Sequence, residues 1–169
     1  MNNEKVKMNK SWEDKANILN VIGGLGFKAT ASGQFLDSEG NGTAVIHAPR
    51  TKFYKALESL HNDFYNGLSQ TIFPDDAIIN FEQKKALICE RKYQQVAGST
   101  DEKIQTCAFK KYQYERLLGK LGYEVSFAFV LNDWFKQKRY SDALAYIEAS
   151  GCKYFFNSIE EDYVGSFFK

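Results

Sequence analysis

Two short segments of this chain concentrate residues able to act on a phosphate ester. Phe73-Pro74-Asp75-Asp76-Ala77-Ile78-Ile79 is followed, after a polar stretch, by Leu87-Ile88-Cys89-Glu90-Arg91-Lys92-Tyr93-Gln94. Both read as strands. Side chains alternate across a strand, so Glu90, Lys92 and Gln94 share one face while Cys89, Arg91 and Tyr93 share the other. An aspartate from the neighbouring strand would complete a small anionic pocket with one cation in it. Two carboxylates offer hard oxygen ligands to Mg²⁺, which neutralises charge on a scissile phosphate and lowers the pKa of a bound water. Lys92 would orient that water and stabilise the developing charge. The chemistry indicated is phosphodiester hydrolysis without a covalent intermediate. Proton transfer through Lys92 or through a further water are both open.

The elements that must position these residues are legible from hydrophobic periodicity. Thr43 to Ile46 and the turn-rich Asp37 to Gly42 read as part of a hairpin or loop, after a first helix expected from Ser11 to Ile22 and stopped by Gly23-Gly24. Phe53, Leu57, Leu60, Phe64 and Leu68 form an apolar stripe at helical spacing between Thr51 and Leu68. Ala77 to Ile79 and Ala86 to Cys89 read as two strands joined by a turn around Glu82 to Lys84. Ser99 and Glu102 make a capping-box pattern, which predicts a helix running to Leu118 and stopped between Gly119 and Gly122. Val125 to Leu131 fits a buried strand, Arg139 to Ala149 a helix and Lys153 to Phe156 a last strand. From residue 51 the order is therefore α-β-β-α-β-α-β, which favours a mixed sheet covered by helices.

With these residues in view, Pro74-Asp75 followed by Glu90-x-Lys92 resembles the pattern of the PD-(D/E)XK nucleases, and of type II restriction endonucleases in particular. Lys92 to Lys103 and Val130-Leu-Asn-Asp-Trp-Phe135 are similar to segments of such enzymes. The likeness spans residues 50 to 157 and leaves the first third unexplained. It implies an α/β (α+β) fold with a restriction-endonuclease-like core, a mixed four-stranded sheet flanked by helices. It also implies Asp75 and Glu90 as metal ligands and Lys92 as the catalytic lysine, with Mg²⁺ as the cofactor and Mn²⁺ able to substitute. Some members add a glutamate from the preceding helix, and Glu58 is the one in position here. Asp76 departs from the pattern, because only one of two successive strand residues can face the site. Asp75 is preferred because it directly follows Pro74, as in the family.

Each signal has a plainer reading. Asp75, Glu90 and Lys92 could be an ordinary salt bridge on surface strands, Gln94 a plain polar strand residue and Glu58 a solvated helix residue. Ser99 to Lys103 could be only a helix cap, although free N–H groups at a helix start, together with Lys103, also suit a DNA phosphate. Arg50, beside His47, is a further candidate DNA contact. Lys110, Lys111, Arg116 and Lys120 read first as a solvated basic helix face. Gly23-Gly-Leu-Gly26 follows a helix and lacks the third spaced glycine of a dinucleotide loop. His47 and His61 are too far apart for a metal pair, and no GxSxG nucleophile motif occurs.

Bulk composition bounds these readings and adds little to them. A chain of 169 residues with 44% hydrophobic content is expected to form a single domain over 1–169, with a nuclease core at 51–157 and an N-terminal helix and hairpin region at 1–50 able to contact DNA. Lys and Arg (22) nearly balance Asp and Glu (21), so net charge gives no support to a strongly basic nucleic-acid binder. No apolar run approaches the roughly 18 residues of a spanning helix, and Cys89, Cys107 and Cys152 form no CxxC pair. A cytoplasmic protein with reduced thiols and no membrane partner is expected. The reading that unites these observations is a Mg²⁺-dependent endonuclease of double-stranded DNA, most simply a type II restriction enzyme. A homodimer matching a symmetric DNA site and a companion DNA methyltransferase follow from that class. The alternatives are a repair or junction-resolving nuclease on the same fold, or a DNA-binding protein that does not cut.

Overall fold

A computed structural model describes residues 10–169. Seven strands form one sheet in chain order: β1 (Lys28–Ala29), β2 (Gln34–Leu36), β3 (Gly42–His47), β4 (Asp76–Asn80), β5 (Lys85–Lys92), β6 (Glu124–Leu131) and β7 (Lys153–Phe156). The first five are antiparallel to their neighbours, and β5, β6 and β7 run parallel. Short turns make most of the antiparallel steps, as between β4 and β5, where Lys84 takes φ +55°, while β3 and β4 are joined by the longer segment that carries the helix Lys52–Leu60. A parallel step needs a crossover, and the helical segments supply it. The helices are α1 (Ile18–Gly24), α2 (Lys52–Leu60), α3 (Thr100–Lys103), α4 (Cys107–Leu118), α5 (Ser141–Ala149) and α6 (Glu161–Gly165). The fold class expected from the sequence, a mixed sheet flanked by helices, is the one the structure has. The sheet is wider than the four strands the family resemblance implies.

Alternation sorts the core into two faces. Ala77, Ile79, Ala86, Ile88, Phe127, Phe129 and Leu131 pack with Phe53 and Leu57 of α2, Tyr114, Leu117 and Leu118 of α4, and Ile147 of α5. Val45, Ile78, Leu87, Cys89, Ala128 and Val130 pack on the other face with Trp12, Ile18, Val21, Ile22, Val164 and Phe167. Both crossovers thus cover the first face. The second is closed by α1 and α6, which pack against each other. Strands buried on both faces explain why β5 and β6 read as unbroken apolar runs.

Three expected helices differ in extent. Residues 10–15 are helical, but the chain breaks at Ala16 and restarts at Asn17, whose side chain accepts from the Leu19 N–H at 3.0 Å and caps α1. Gly23 and Gly24 lie inside α1, and the left-handed residue that ends the turn is Gly26 at φ +90°. The stripe from Phe53 to Leu68 stays helical only to Leu60, because His61 is extended at φ −140°. The helix expected from Ser99 to Leu118 is broken by a 3-10 turn at Ile104–Thr106, and Ser99 makes no capping bond. Among the described residues no helix is long and apolar enough to cross a membrane.

Candidate active site

The β4–β5 register decides which aspartate faces which way. Asp76 pairs with Cys89, so the next antiparallel position sets Asp75 across from Glu90, and directly opposed residues share a face. Asp75 therefore sits on the face of Ala77, Ile79, Ala86 and Ile88, as do Glu90 and Lys92. Lys92 Nζ donates to Glu90 Oε2 at 2.7 Å and lies 3.7 Å from Asp75 Oδ2. The same Asp75 oxygen accepts from the Arg91 N–H at 2.9 Å. Lys92 Nζ also stands 5.8 Å from the centre of the Phe129 ring. Asp75, Glu90 and Lys92 thus converge at one end of the paired strands.

Two further cations belong to this group. Lys110 on α4 donates to Glu90 Oε2 at 2.8 Å, so one carboxylate oxygen takes both lysines. Arg50 sits in the turn before α2 at φ +49°, its N–H bonded to the Pro74 carbonyl at 2.9 Å. Its guanidinium is 3.9 Å from Asp75 Oδ1, with the side chain 73% exposed. The Glu90 side chain is only 7% exposed and that of Asp75 26%, so the site grades from a dry floor to an open rim. Tyr114 lies buried beneath it, and burial together with the Glu90 charge pushes its phenol far above the ordinary range. It is a neutral wall.

The donor set suits a hard divalent cation. Both lysines take Glu90 Oε2, and among the described residues Asp75 Oδ1 is met only by a distant, exposed guanidinium. Mg²⁺ commonly uses one or two carboxylates and fills its shell with water and phosphate oxygens. Among the described residues no group of three or more His, Cys, Asp and Glu side chains is placed to share an ion. Glu58 is exposed on α2, whose buried side is Phe53 and Leu57, and it does not join the pair as a third ligand.

The remaining expected contacts fare differently. Gln94 is buried, exchanges two bonds with Asn132 at 3.1 and 2.8 Å through its main chain, and turns its side-chain amide onto the Val96 carbonyl. It braces a loop through its main chain and its amide nitrogen. Ser99 and Lys103 are exposed, but α3 spans only Thr100–Lys103, too short for a strong helix terminus. Asp101 already occupies that end, accepting from the Tyr140 hydroxyl at 2.6 Å.

A second polar cluster lies behind the first. His47 Nε2 is 2.8 Å from Asp76 Oδ1, and Arg91 Nε is 3.3 Å from Asp76 Oδ2, on the face opposite Glu90. Asp76 is 4% exposed, and its Oδ2 receives no aligned hydrogen bond. Among the described residues the Arg91 ion pair alone holds that oxygen. Sequence reasoning overlooked this cluster and the role of Lys110. Alternation did carry a signal for both. Asp76 and Arg91 share parity with the buried Ile78, Leu87 and Cys89, while Lys110 falls on the inward stripe of α4 between Cys107 and Tyr114.

No protein-family model matches this chain, and no curated protein does. Among solved structures it is similar to the crystal structure of MunI restriction endonuclease in complex with cognate DNA. The two are 13% identical over 75% of this chain and 79% of the other, with a TM-score of 0.44.

Proposed function

We propose that this chain is a Mg²⁺-dependent endonuclease that hydrolyses phosphodiester bonds in double-stranded DNA, and specifically a type II restriction enzyme. The observation that carries the reading is the meeting of Asp75, Glu90 and Lys92, with Lys92 Nζ 2.7 Å from Glu90 Oε2 and 3.7 Å from Asp75 Oδ2. Asp75 and Glu90 would hold the ion, which when bound neutralises the scissile phosphate and lowers the pKa of a water. Lys92 orients the attacking water and stabilises charge that develops on the phosphate oxygens. Lys110 fixes the Glu90 carboxylate, and the Arg91 N–H fixes that of Asp75. Arg50, at the open rim, is suited to meet an incoming phosphate. Hydrolysis at a symmetric site on both strands is best served by a homodimer. A restriction role also calls for a methyltransferase that protects the same sequence in the cytoplasm.

The test is incubation of the purified protein with long unmodified duplex DNA, with and without Mg²⁺. Discrete fragments that form only with the metal are expected. Selective cutting of branched DNA would move the role to junction resolution, and tight binding without any cutting would leave a non-catalytic binder.

A further inference from the structure

The nuclease site occupies one end of β4 and β5, but a separate cleft of about 520 Å³ opens beside it, between α2 and the β2–β3 part of the sheet. Lys52, Lys55 and Ser59 of α2 line one wall, and Ser32, Gln34 and His47 line the other. Positions 52, 55 and 59 follow helical spacing, so they form one stripe beside the buried Phe53 and Leu57. No Asp or Glu lines the cleft. Among the described residues Lys52 and Lys55 have no carboxylate partner, unlike Lys92, with two, and Lys110, with one, in the neighbouring site. Two lysines lining a concave wall without compensating acid are a standing attraction for a polyanion.

Along the chain the cleft adjoins the site. Ala48 and Lys52 both line it, and Arg50 lies between them with its guanidinium 3.9 Å from Asp75 Oδ1. Arg50 at the carboxylates is thus followed within five positions by the two lysines that line the cleft. Resting on the nuclease reading, we infer that this cleft is the track for the phosphodiester backbone of the DNA strand on one side of the scissile bond.

The experiment is duplex binding by fluorescence anisotropy across a salt series, without divalent metal, so that cleavage does not intrude. Wild type, Lys52→Ala/Lys55→Ala and Lys153→Ala are compared, the last at the β7 edge of the sheet. The double variant is expected to lose roughly 10- to 100-fold in affinity near 0.1 M salt. Its plot of log affinity against log salt should be shallower by about 2, since each phosphate contact contributes about 0.9. Lys153→Ala should match wild type, and thermal melts should agree for all three. Unchanged affinity and slope in the double variant would overturn the track while leaving the nuclease reading intact, as would an equal loss in Lys153→Ala. A wild-type protein that neither binds nor cuts duplex DNA would overturn both.

Discussion

Arg91 holds Asp75 through its main chain, its N–H donating to Asp75 Oδ2 at 2.9 Å, while its side chain turns to the opposite face. The carboxylate that faces the site is thus fixed by β5 itself and not by a mobile side chain. Asp75→Asn keeps the shape and that hydrogen bond but halves the anionic charge offered to a cation. It is expected to reduce cleavage roughly 10²- to 10³-fold or more, as is Lys92→Ala. Far-UV circular dichroism and melting should stay near wild type, because Asp75 is part exposed. Full cleavage by either variant would remove the catalytic assignment.

Behind the site, Asp76→Ala is expected to unfold the protein far more easily. It strips the shared partner from His47 and Arg91, whose side chains are only 11% and 23% exposed. Breaking a buried pair by removing one partner costs about 3–5 kcal/mol. Urea titration measures it, and a loss below about 1 kcal/mol would mean the cluster does not tie β3, β4 and β5 together.

Lys110→Ala separates holding a carboxylate from holding a metal. With one cation gone from Glu90 Oε2, Mg²⁺ or Mn²⁺ should bind more tightly, by roughly several-fold, because a competing positive charge has left. Cleavage should nevertheless fall, since Glu90 is then oriented by Lys92 alone. Calorimetric metal titration and single-turnover cleavage should move in opposite directions. Weaker metal binding would contradict this division.

The thiols give the pH dependence. Burial, reinforced by neighbouring Cys107, pushes Cys152 from its ordinary 9.0 to about 12, and burial drives Cys89 higher still. A group whose pKa is raised by folding contributes stability that is intact below the unfolded value and lost as pH rises toward the folded one. Unfolding free energy should therefore decline from about pH 9 toward pH 12, and a thiol reagent at pH 8 should label the cysteines only in denaturant. Rapid labelling of the native protein would contradict their burial.

How much of this the sequence disclosed depended on range. Glu90 and Lys92 are two residues apart on one strand, so alternation alone paired them. The strand from Lys153 to Phe156 has the bounds expected of it. Asp75 and Asp76 were separable only through a family pattern, because parity becomes decisive only once the Asp76–Cys89 register is known. The apolar stripe of α2 continues to Leu68 in sequence, but Phe64 and Leu68 pack on the core from irregular chain, and periodicity cannot distinguish that from helix. Lys110 reaches Glu90 across twenty positions, and His47 reaches Asp76 across twenty-nine. Such contacts are set by topology, which a local pattern does not encode.

β5 is paired along both edges, with β4 through Cys89 and with β6 from Lys85 to Lys92. Amide protons between Lys85 and Cys89, enclosed on both edges, exchange with solvent only when the sheet itself comes apart, and Glu90 and Lys92 extend directly from that stretch while still paired with β6. Arg50 is mounted the other way, on a left-handed turn with its side chain in water. An arriving DNA strand would meet a frame that does not yield and a rim that does. Fit to different helix geometries then falls to the turn before α2, and deuterium uptake should drop there on binding while β5 stays silent.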